Sequence, residues 1–181
     1  MLKMAKEKFS VEEFEKKYVA RLKDRTLDWN VLKFQEEVDP RYKRAQMRYI
    51  GRGATANADA NVIAAEHFTL STMVLPAGCV GPLHLHDDVE EVFFILKGQV
   101  TALIKEVDSD EIHEIKLNER DCISSPPGVH RGIRNDSDEE ALMLVMLGAS
   151  KPNLPTYPAG SALEELRKQR AAEREAIISG K

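Results

Sequence analysis

With 181 residues, 43% of them hydrophobic and 31% charged, the chain has the profile of one globular domain with a buried core, not of a disordered tail. A formal net charge of −4 argues against a general nucleic-acid binder, which needs a concentrated basic surface, and no apolar window approaches the length of a membrane span. The N-terminus lacks an uninterrupted apolar stretch, so no signal or anchor is expected there, and Cys79 and Cys122 are expected as reduced thiols in a cytoplasmic protein.

The first segment predicts a helix. Ser10 and Glu13 form a capping-box pattern, and Phe9 is placed to staple against Phe14. Phe14, Tyr18 and Leu22 recur every four residues as an apolar stripe. It is expected to pack on the main domain or on a partner subunit, the alternative being a frayed terminus. Residues 24 to 61 read as irregular. Trp29, Val31, Leu32 and Phe34 suggest a short apolar element, and Pro40 and the Gly51–Gly53 run suggest connections. Arg41, Lys43, Arg44 and Arg48 form a basic cluster, read first as a solvated face and second as a site for an acidic ligand.

From Val62 to Leu147 the pattern changes. Short runs rich in Val, Ile, Leu, Phe and Thr are separated by turn residues, which predicts an all-β sandwich or barrel. The runs are Phe68–Leu75, Leu83–His86, Glu91–Leu96, Gln99–Val107, Glu111–Leu117, Asp121–Ser124, Gly132–Arg134 and Ala141–Leu147. Lys97–Gly98 and Asp108–Asp110 read as tight hairpin turns between antiparallel neighbours. The connections leave no room for crossover helices. A Pro-rich connector from Lys151 to Pro158 then leads into a charged helix from Ser161, with Ser161 and Glu164 as a second capping box and Glu164–Lys168 as an i,i+4 pair. The chain thus divides into an N-terminal helix with an irregular extension (1–61), a barrel (62–150), and a connector with a C-terminal helix (151–181).

Chemistry concentrates between Gly78 and Gly98. His84 and His86 are two apart, so on a strand both imidazoles share one face. An acidic residue at the start of the returning strand can lie opposite them. Two imidazoles and one carboxylate with open positions suit iron(II), and can also hold manganese, nickel, zinc or copper.

This segment resembles the first motif of the cupin superfamily: a glycine, five residues, His-x-His, three or four residues, a glutamate, six residues and a glycine. Gly78, His84, His86, Glu91 and Gly98 satisfy every interval, and the six-residue gap selects Glu91 over Glu90. The resemblance implies a double-sheet jelly-roll barrel with helical extensions at both ends, and a metal on His84, His86 and Glu91. The second motif is matched by Pro126, Gly128 and Asn135, but its histidine position holds Arg131, and the histidine stands one step earlier at His130. A one-residue shift turns a side chain to the other face of a strand. Either His130 reaches inward through a bulge as a fourth ligand or proton shuttle, or Arg131 enters the cavity and clamps a substrate carboxylate.

The leading expectation is a metal-dependent enzyme of the oxygenase type, acting on a small organic acid or aromatic compound. Its alternatives are a small-molecule-binding or sensor barrel without turnover, and metal-independent isomerase-like chemistry with His130 as base. A homodimer is expected from the apolar termini and open sheet edges. Among other residues, His113 is expected to face solvent, and His67, Tyr49 and Arg52 are weak candidates for the cavity. Cys122 and Ser124 are expected mainly as core, with Arg134 and Asn135 serving their turn.

Overall fold

The computed structural model describes residues 10–51 and 62–178. The proposed Phe9 staple and the Arg52 cavity position lie outside those residues. The elements in chain order are α1 (Val11–Tyr18), α2 (Lys33–Glu36), β1 (Ala45–Ile50), β2 (Thr69–Leu75), β3 (Val80–His84), β4 (Glu91–Lys97), β5 (Val100–Lys105), β6 (His113–Leu117), β7 (Cys122–Ser125), β8 (His130–Arg134), β9 (Ala141–Leu147) and α3 (Ala162–Ile178).

The strands form two antiparallel sheets, in the orders β1-β2-β9-β4-β7 and β3-β8-β5-β6. Strands β2 to β9 have the arrangement of a double-sheet jelly roll, and β1 is added at one edge. Alternation decides what each sheet buries. Along β9, Ala141, Met143, Val145 and Leu147 are buried and the residues between them are less so, as period two requires. These pack with Met73, Leu75, Phe93, Ile95, Ala102 and Ile133 into the core between the sheets. Within the run Phe93–Leu96, Phe93 and Ile95 are buried, and Leu96 is 42% exposed.

Two expectations about connectivity change. The Gly98 turn is no hairpin: β4 pairs with β7 and β9, and β5 pairs with β6 and β8, so the chain crosses between sheets there. Local turn chemistry makes a reversal but does not choose the partner strand. The Asp108–Asp110 turn does join hydrogen-bonded neighbours, β5 and β6. In addition, residues 45–50, expected as irregular, form β1, which pairs antiparallel with β2.

Helix α1 has its capping box, but no residue of it is buried, and Phe14 and Tyr18 are exposed. At the other end, the Ser161 hydroxyl caps Glu164 N–H. The Glu164 carboxylate turns instead to the Tyr157 N–H and to Arg167, while Lys168 pairs with Glu165, so the expected Glu164–Lys168 pair does not form. Asn135 is wholly buried. Its amide donates to the carbonyls of Leu75 and Glu139, and its side-chain oxygen accepts from Ser137. It ties the β8–β9 turn down, and Arg134 binds Glu114 and Asp136 beside it. No helix among the described residues is long and apolar enough to cross a membrane.

Candidate metal centre

Glu91 opens β4 in one sheet, and His84 closes β3 in the other. The carboxylate therefore meets the imidazoles across the barrel, not from a neighbouring strand. Backbone contacts fix the His-x-His segment from both sides. Leu85 exchanges hydrogen bonds with Thr156 of the C-terminal connector, and Gly128 N–H donates to the His86 carbonyl. Gly132 lets β8 approach β3: a Cβ there would lie 2.8 Å from the Gly81 carbonyl oxygen and 3.1 Å from the Leu83 nitrogen.

One ligand atom from each of His84, His86 and Glu91 lies within 4.8 Å of the other two. The imidazole rings stand edge to face with centroids 5.3 Å apart. His84 Nδ1 lies 2.9 Å from the Pro82 carbonyl oxygen, to which it donates, so Nε2 offers a lone pair when the ring is neutral and an N–H when it is charged. That nitrogen is 2.9 Å from Glu91 Oε2. Two acceptors at this separation need a cation between them, a proton or a metal ion. Holding Nδ1 on a carbonyl is also the outer-sphere arrangement that orients a metal-binding histidine. His86 Nδ1 is buried with no hydrogen-bond partner among the described residues. The donor set and this orphaned nitrogen fit a divalent transition metal.

Electrostatics agree with the geometry. Burial raises the Glu91 carboxyl, but the charge and hydrogen bond of His84, with His86 and Arg131, hold it below its ordinary value. Burial pushes His86 down against the opposing pull of Glu91, which keeps the ring neutral and able to ligate.

The second motif resolves by register. Arg131 pairs with His84 on β3 and Ile104 on β5, whereas His130 pairs with Lys105. Paired residues share a face, so Arg131 points into the barrel with His84, and His130 points to the other side of the sheet. His130 is buried but is not brought to the cluster. Arg131 is 1% exposed. Its Nη2 donates to the carbonyls of Ser125 and Pro126, and its Nε lies 3.9 Å from Glu91 Oε2. It braces Glu91 and the β7–β8 turn and does not line the cavity that opens from the cluster.

That cavity has a volume of about 100 Å³. His84, His86 and Glu91 lie in its wall, together with Gln35, Arg44, Gln46 and Arg48. The basic cluster thus splits. Arg41 pairs with Asp39, Lys43 lies over Trp29, and Arg44 and Arg48 are buried in the cavity wall. Sequence reasoning did not single out Gln35 or Gln46. The period-two spacing of Arg44, Gln46 and Arg48 was the signal for one face of a strand. His113 is exposed, as expected; of the weaker candidates, His67 is exposed, and Tyr49 bonds Met47 outside the cavity lining. Cys122 and Ser124 are exposed and not core; Ile123 and Ser125 turn inward instead. Both cysteines are free thiols.

A jelly-roll barrel holding two histidines and a carboxylate around one point defines a metal-binding type of β-barrel. Residues 71–147 match the family described as "Cupin domain". Among solved structures, it is similar to TT1209 from Thermus thermophilus, with 26% identity over 50% of this chain and 80% of that one, and a TM-score of 0.44. The DMSP lyase DddQ from Ruegeria pomeroyi DSS-3 is 24% identical over 65% of this chain and 54% of its own, with a TM-score of 0.49. An oxalate oxidase is 19% identical over 50% and 46%, with a TM-score of 0.45. The chain spans about half the length of the latter two. No curated protein sequence matches it.

Proposed function

We propose that this cupin-domain protein is a metal-dependent enzyme of the oxygenase type that acts on a small organic acid, with the ion held by His84, His86 and Glu91. The observation that carries the reading is the convergence of three ligand atoms within 4.8 Å, from the end of β3, the segment just beyond it and the start of β4, in the wall of a cavity. When bound, the ion supplies Lewis acidity and, if it is iron, redox capacity; manganese, nickel, zinc and copper suit the same donors.

The chain's residues do the rest. Pro82 holds the His84 tautomer, and Arg131 holds Glu91. Met73, Phe93, Val145 and Leu147 line the cavity with apolar surface that keeps water from the reacting atoms. Arg131 is a positioning residue in this reading, and His130 has no direct part in the chemistry.

The test is metal analysis of the purified protein and of His84→Ala, with circular dichroism to verify the fold. Stoichiometric metal in the wild type and its loss in the variant are expected. Unchanged metal in a folded His84→Ala protein would overturn the ligand set. Metal without oxygen uptake across a panel of small organic acids would overturn the oxygenase assignment and favour a binding module.

A further inference from the structure

Arg44 is a buried charge in the wall of the cavity that holds His84, His86 and Glu91. It is 7% exposed, and burial pushes its guanidinium down to about 10, which leaves it cationic at neutral pH. Among the described residues its acceptor is the Tyr42 carbonyl, 3.0 Å from Nη1. Arg44 forms no ion pair and no other side-chain hydrogen bond among the described residues, which leaves Nε and Nη2 available to a ligand. A buried cation is costly unless something pairs with it. Glu91 contributes to its field, but Glu91 is engaged by His84 and is the carboxylate assigned to the metal. With a divalent ion on Glu91, Arg44 has no carboxylate of its own among the described residues.

We propose that Arg44 is the specificity residue of this cavity, and that it binds the carboxylate of a short-chain aliphatic acid whose other end faces His84, His86 and Glu91. The inference rests on the proposed metal site and names its substrate class. A planar guanidinium with two free donors matches a carboxylate. Size selects among acids. A closed cavity of about 150 Å³ accommodates benzene, and this one is about 100 Å³, which favours a short aliphatic acid over an aromatic one. Gln35 Oε1 and Gln46 Oε1 are buried in the same wall without a donor; a carboxylate cannot supply one, so these oxygens fit an acid that also carries a donor such as a hydroxyl group. Gln35 is held by its amide on the Tyr157 hydroxyl at 2.7 Å. Arg44, Gln35 and Gln46 all lie outside residues 71–147. The flanking segments, rather than the shared barrel, therefore carry recognition.

The experiment is calorimetric titration of malonate, of its uncharged analogue malonamide, and of benzoate into zinc-loaded wild type, Arg44→Gln and Arg44→Lys, with zinc content measured for each. Malonate should bind the wild type, and malonamide and benzoate should not. Arg44→Gln should keep its zinc and weaken malonate roughly 10- to 100-fold, the range for a lost charge-assisted hydrogen bond, and Arg44→Lys should recover part of it. Equal binding of malonate and malonamide by the wild type overturns the proposal without any variant having to fold. So does unchanged malonate affinity in Arg44→Gln. If the wild type takes up no zinc, the metal assignment is what fails. The same malonate contrast in metal-free protein then decides the role of Arg44 on its own.

Discussion

Replacing Arg131 by methionine separates a brace from a substrate clamp. Methionine fills much of the same volume but has no donors. The carbonyls of Ser125 and Pro126, now 3.2 and 2.7 Å from Nη2, lose their partner inside the barrel, and Glu91 loses the cation 3.9 Å away. Each buried acceptor left unmade costs about 1–3 kcal/mol, and breaking a buried charge pair costs about 3–5 kcal/mol. Part of this is returned, because the buried guanidinium is itself desolvated, as its lowered pKa shows. A net loss of about 3 kcal/mol is expected. For a chain of this size, 1 kcal/mol moves Tm by roughly 2–4 °C, so Tm should fall by about 6–12 °C. Thermal unfolding followed by circular dichroism measures the stability, and metal titration of the folded variant measures the site. A variant with wild-type Tm and metal affinity, but with weakened malonate binding, would refute the brace and restore Arg131 as the clamp.

Other consequences can be checked alongside. Gly132→Ala should destabilise the barrel and weaken metal binding together, because the added carbon meets the β3 backbone rather than a flexible side chain; urea unfolding and metal titration read both. Glu164→Gln should lose about 1 kcal/mol at pH 7 through weakened charge-assisted hydrogen bonds. The Arg167 hydrogen bond holds the Glu164 carboxyl below its ordinary 4.5. Its contribution is therefore present above the unfolded value and disappears as pH falls through the folded one. Urea midpoints of variant and wild type should then converge in acid; a gap that persists at pH 2 contradicts this. A homodimer is expected to bury the exposed Phe14 and Tyr18 of α1, so light scattering should give twice the chain mass, reduced by Phe14→Glu; a monomer at high concentration contradicts it.

The strands from β2 to β9 were legible because period-two alternation and turn residues are local signals. His84, His86 and Glu91 were legible because a strand sets the spacing and the longer motif selects between Glu90 and Glu91. What stayed hidden depended on distant pairing. Gly98 looks like a hairpin turn until β9 is known to lie beside β4. His130 and Arg131 could exchange roles until pairing with Lys105 and Ile104 set their parity. Strand β1 was obscured by its own chemistry. Arginines at alternating positions look like a solvated face, and only the barrel wall shows that they face inward.

Strand β1 stands at the end of its sheet, beside a jelly roll already complete in eight strands. Its backbone covers the rim of β2, which would otherwise offer open hydrogen-bonding groups to other molecules, and its side chains help form the pocket. Swapping six residues there can retune what the protein accepts while leaving the ion-holding framework intact. Deleting them would instead uncover β2 and invite aggregation before any change in chemistry could be seen.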